Sequence, residues 1–131
     1  MRKAIFISVL VMLPFLLSAC GGQATTSAET TPAKQVNITV GSNPTPARMG
    51  DAELVFTITD SSGNPIEGAR VDVSADHTDM MGMGMSGPAT EQGGGKYAIK
   101  ANFSMSGTWK LTVYVRKNGL DYNEDIEFKV Q

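Results

Sequence analysis

One stretch of the chain concentrates side chains that can bind a metal. His77-Thr78-Asp79-Met80-Met81-Gly82-Met83-Gly84-Met85 contains the only histidine and four of the eight methionines of the sequence. Thioether sulfur is a soft donor that carries no proton at any working pH, so it selects copper(I) over zinc or calcium, and one imidazole strengthens such a site. If the segment is extended, His77, Met81, Met83 and Met85 share one face. Successive members then lie about 7 Å apart at the backbone, and flexible methionine side chains can bring two thioethers onto one ion. His77, Met80, Met81, Met83 and Met85 are therefore candidate copper(I) ligands. Asp76 and Asp79 are hard donors that suit this ion badly and read as solvated loop residues.

Burial alone explains the segment poorly. Glycine at 82 and 84 weakens a strand, and a stretch selected for core packing would carry Val, Ile or Leu. The competing reading is a methionine-rich flap that docks a protein partner, as flexible Met surfaces do. Met105 is a further candidate ligand, because it follows Tyr97, Ile99, Ala101 and Phe103 with the parity of that strand's core-facing residues; the same parity also fits a core methionine.

The elements that must position these residues are strands. Apolar residues alternate at Val36, Ile38 and Val40, at Leu54, Phe56 and Ile58, and at Val71, Val73 and Ala75. The alternation continues through Tyr97 to Phe103, through Trp109, Leu111, Val113 and Val115, and through Ile126, Phe128 and Val130. Period two over short runs predicts half-buried strands. Asn43-Pro44, Asp60 to Pro65, Gly93-Gly94-Gly95, Ser106-Gly107 and Asn118-Gly119 supply reversals between them. No helical period appears, so the expected fold is all-β, an antiparallel β-sandwich of about seven strands.

The first residues are of another kind. Arg2 and Lys3 precede an uncharged apolar run from Ala4 to Leu17, which reads as a secretory leader, residues 1–19, too short for a comfortable membrane span. Leu17-Ser18-Ala19-Cys20-Gly21 resembles the bacterial lipobox, in which cleavage precedes a cysteine that receives diacylglycerol; Cys20 is the expected lipidation site. Residues 20–35 follow as a flexible tether without a large apolar side chain. The folded domain is expected over 36–131, in a lipoprotein anchored to the outer face of the cytoplasmic membrane or to the outer membrane.

Charge and cysteine content narrow the function. The 131 residues include 11 Lys and Arg against 13 Asp and Glu. Loss of the leader, with Arg2 and Lys3, leaves nine basic against thirteen acidic residues and a net charge of −4, which argues against nucleic-acid binding. A single cysteine forms no intramolecular disulfide, so packing must hold the domain together. The sequence contains no nucleophile with a base, no paired carboxylates and no phosphate loop, so a binding protein is expected rather than an enzyme.

Met80-Met81-Gly82-Met83-Gly84-Met85, Gly95-Lys96-Tyr97 and Met105-Ser106-Gly107-Thr108-Trp109 together resemble the YtkA-like and FixH-like family of small copper-linked envelope domains, over roughly residues 36–131. The resemblance implies an immunoglobulin-like fold and copper traffic without catalysis. It also implies an acceptor, such as a terminal oxidase subunit, supplied with copper. FixH-type members are usually held by a transmembrane helix, whereas this chain carries the lipobox. Asp60-Ser61-Ser62-Gly63-Asn64-Pro65-Ile66-Glu67-Gly68-Ala69-Arg70-Val71 resembles the strand-turn-strand element of many bacterial immunoglobulin-like modules. Such modules often act as adhesins or spacers, which makes a non-metal structural or interaction domain the alternative.

Overall fold

Alternating burial organises the chain into seven strands in the computed structural model, which describes residues 34–131. The leader, Cys20 and residues 21–33 of the tether lie outside the described residues. The strands are β1 (Val36–Asn43), β2 (Gly50–Asp60), β3 (Arg70–His77), β4 (Gly84–Gly93), β5 (Lys96–Phe103), β6 (Gly107–Lys117) and β7 (Leu120–Val130). Every pairing is antiparallel, and the spatial order is β1-β2-β5-β4-β3-β6-β7.

The fourth strand turns the corner. Its first half, Gly84 to Ala89, pairs with β3, whereas Thr90 to Gly93 pair with β5 across a bulge. Two sheets, β1-β2-β5 and β3-β6-β7, therefore face one another with β4 linking them along one side. This is the strand arrangement of a seven-stranded immunoglobulin-like sandwich. Six of the strands coincide with the alternating runs of the sequence. β4 has no such run: its side chains are exposed or half-buried throughout, because each half is the edge of a different sheet.

The inward faces of the two sheets form one core. Leu54, Phe56, Ile58, Tyr97 and Phe103 from one sheet meet Val71, Val73, Trp109, Leu111, Val113 and Val115 from the other. Burying each large side chain of this kind stabilises the fold by about 1.5–3 kcal/mol. One end of the core is aromatic. Phe103 meets Trp109 edge-on at 5.1 Å between centroids and stacks on Phe128 at 5.8 Å.

The two ends of the sandwich are built differently. At one end Asp60 accepts backbone N–H bonds from Ser62 and Asn64, at 2.8 and 2.9 Å, and so closes the first turn of the β2–β3 connection. The Tyr97 hydroxyl then pins that connection by donating to the Ile66 carbonyl and accepting from the Ala69 amide. Asn118-Gly119 makes a two-residue reversal between Lys117 and Leu120, with both residues at positive φ as a type I′ hairpin turn requires. At the other end Gly50 pairs with Phe103, His77 with Trp109, and Gly107 with Val130. The β1–β2, β3–β4 and β5–β6 loops therefore emerge together.

Candidate functional site

The methionine-rich segment is a hairpin loop rather than one extended strand. β3 ends at His77, residues 78–83 turn, and β4 starts at Gly84. The break follows from Gly82, whose φ of 82° is a left-handed conformation open to glycine. His77, Met81, Met83 and Met85 thus do not share one strand face. His77 stands at the end of β3, Met80, Met81 and Met83 on the loop, and Met85 on β4, opposite Ala75.

Backbone bonds hold the loop at both ends. The His77 amide donates to the Met83 carbonyl at 3.1 Å and closes the hairpin. Thr78 donates to the Thr108 carbonyl through its amide and its hydroxyl, both at 3.0 Å, and so ties the loop to the start of β6.

His77 is the brace between these loops. Only 8% exposed, it meets Trp109 edge-on at 5.2 Å between ring centroids. Its Nδ1 accepts from the Asp79 amide at 3.2 Å, which places the proton on Nε2, and Nε2 faces the Ser106 carbonyl at 3.2 Å. Both nitrogens are thus engaged, and coordination through either one requires giving up a hydrogen bond. The close fit extends to Gly107, at φ 126°: a Cβ built there would stand 2.8 Å from His77 Nε2.

The methionines are placed very differently from the histidine. Met81 is fully exposed, and Met80 and Met83 are 42% and 38% exposed. Met85 is half-buried and packs on the edge of the core. Met105 is half-buried on the β5–β6 loop, where its carbonyl accepts from Trp109 Nε1 at 3.2 Å. Because β5 ends at Phe103, the parity of its core-facing residues does not carry on to Met105, which stays outside the core cluster.

Met83 and Met85 line a pocket of about 120 Å³ together with Gly82, Gly84, Asn102, Ser104 and Trp109. Ser104 Oγ points at Met83 Sδ from 3.9 Å. No group of three or more His, Cys, Asp or Glu side chains gathers among the described residues. The donors that do gather at this end are thioethers, which fit a soft monovalent ion.

One residue of this end escaped the sequence reading. Met49, on the β1–β2 loop, is 58% exposed and its amide donates to the Gln131 carbonyl at 3.0 Å. Its only signal in the sequence is a lone large apolar side chain in a turn region, between Arg48 and Gly50. With it, all six methionines from residue 34 onward stand at the same end of the sandwich. Every large hydrophobic side chain that is exposed among the described residues is one of them: Met49, Met80, Met81 and Met83.

A family model described as YtkA-like matches residues 30–114. That span includes Met49, the whole His77–Met85 segment, Met105 and Trp109. No curated protein gives a significant match to the chain.

Proposed function

The chain belongs to the YtkA-like family, and on that premise we propose that it binds copper(I) through methionine thioethers at one end of its sandwich and hands the ion to an acceptor protein. The observation that carries this reading is the choice of exposed apolar residues. Among the described residues, Leu, Ile, Val and Phe are withdrawn into the fold, while the large hydrophobics left in water are all methionines at one end. Core packing does not use these side chains, and thioether chemistry does.

Met80, Met81, Met83, Met85 and Met105 are the proposed donors, with Met49 beside them. His77 positions the loop that carries most of them, because both of its nitrogens already hold backbone groups. Copper(I) is cargo here and not a resident cofactor. Thioethers are weak ligands one at a time, so an incoming donor replaces them singly and the ion passes on without ever being free in solution. An exposed donor such as Met81 is where that exchange starts.

The likeness of Leu17 to Gly21 to a lipobox supports anchoring through Cys20, and with it a location on a membrane of the bacterial envelope. As a flexible coil, the fifteen residues 21–35 would let it range on the order of 20 Å from the anchor. An acceptor in the same membrane, such as a terminal oxidase subunit, is then within reach.

Replacing Met81, Met83 and Met85 together with leucine tests the reading, since leucine keeps size and apolarity while removing the sulfur. In a competition titration with a chromophoric chelator, copper(I) affinity is expected to fall at least tenfold, about 1.4 kcal/mol. Unchanged affinity in a folded variant overturns thioether binding and leaves the loop as a docking surface.

A further inference from the structure

Among the methionines, two line one open pocket that also has an aromatic wall. Met83 and Met85 stand either side of Gly84, which contributes no side chain between them, and both line the pocket that Trp109 backs. The Trp109 ring is 2% exposed and fixed on three sides, by the edge contacts with His77 and Phe103 and by the bond from Nε1 to the Met105 carbonyl. We infer that the soft cation is held in this pocket, between the thioethers of Met83 and Met85 and against the indole of Trp109. The inference rests on the thioether reading given above and assigns it a location and a new residue.

The arrangement has the properties such a seat requires. Residues two apart near a strand start lie about 7 Å from each other at the backbone, within reach of two methionine side chains converging on one ion. The pocket, at about 120 Å³, well exceeds the roughly 10–15 Å³ that one water-sized group needs, so an ion and one further donor fit. Ser104 Oγ points at Met83 Sδ from 3.9 Å, a weak contact that leaves the sulfur open to a metal. The indole replaces part of the ion's water shell with an electron-rich, low-dielectric wall, where a cation gains from the ring quadrupole. Met80 and Met81, on the outer turn, are left as the donors that an acceptor's ligand meets first.

Trp109 is the only tryptophan of the sequence, so tryptophan emission comes from the ring that lines this pocket. Silver(I), a soft monovalent ion of the same donor preference, is titrated into the purified protein as silver nitrate, with binding measured separately by competition. Emission is expected to fall more than twofold, saturating at one equivalent. Met83→Leu with Met85→Leu abolishes the quench. The methionine methyl carbon resonances of the parent protein, followed in the same titration, provide a readout that no substitution can unfold, and those of Met83 and Met85 are expected to move first. Silver(I) that binds without quenching Trp109, or that moves the Met80 and Met81 methyls first, overturns the pocket but leaves the thioether reading intact. No binding of silver(I) at all removes both.

Discussion

His77→Leu separates a metal ligand from a brace. Leucine fills much of the ring's volume at a site that is 8% exposed, but it leaves the Asp79 amide without an acceptor and the Ser106 carbonyl without a donor. An orphaned buried polar group costs about 1–3 kcal/mol. Asp79 and Ser106 are themselves exposed residues, so water takes up part of each and the low end of that range applies. Loss of the edge-on contact with Trp109 adds about 0.5–1.5 kcal/mol. The variant is therefore expected to lose roughly 2–3 kcal/mol, which lowers the unfolding midpoint of a domain near 100 residues by roughly 10–20 °C. Thermal unfolding followed by circular dichroism measures this directly. Copper(I) affinity, measured by chelator competition well below the midpoint, is expected to stay within about threefold of the parent, less than 1 kcal/mol. An unchanged midpoint with a tenfold loss of affinity would refute the reasoning and make the imidazole a ligand.

Other perturbations follow from the same geometry. Gly107→Ala places a methyl 2.8 Å from His77 Nε2 on a backbone at φ 126°, and is expected to destabilise the fold by about 1–3 kcal/mol in chemical denaturation. Met81→Leu changes a fully exposed side chain, so stability is expected to move by less than about 0.5 kcal/mol. Its effect is expected in stopped-flow transfer of copper(I) to a chelator, slowed several-fold. At the opposite end, the side-chain bond from Asn64, reinforced by backbone N–H groups of Asn64, Ser62 and Gly63, holds the Asp60 carboxyl below the ordinary aspartate range. A depressed carboxyl stabilises the fold above the ordinary value, near 3.9, and loses that contribution as pH falls through its own lower one. Carboxyl titration by NMR is expected to show the low midpoint in the parent and a rise toward the ordinary value in Asn64→Ala.

The strands were legible wherever one face is buried and the other is wet. Leu54, Phe56 and Ile58, or Trp109, Leu111, Val113 and Val115, declare themselves by period two because each side of the strand meets a different solvent. The Asn118-Gly119 hairpin was equally open, since its residue types match the positive φ the turn requires. β4 was not legible: a strand that is the edge of two sheets in turn never presents one consistent face to the core.

The methionine cluster was visible as composition, but its arrangement was not. Whether the segment extends or turns depends on Gly82, and a left-handed glycine leaves no period to read. In the sequence, His77 reads as a ligand because histidine next to methionine suits copper(I). Its actual surroundings include Ser106 and Trp109, which reach it only through the pairing of β3 with β6. Met49 joins the same end only because the register brings Gly50 opposite Phe103. Local sequence cannot supply contacts that topology makes.

The central claim is that the thioethers at this end form a soft-metal site. A competition titration of the purified protein against a chromophoric chelator, run in parallel with copper(I), silver(I) and zinc, tests it most directly. Saturable binding of copper(I) and silver(I), at one equivalent and with no competition from zinc, is expected. Zinc binding as tight as copper(I), or no binding of either soft ion, would contradict it.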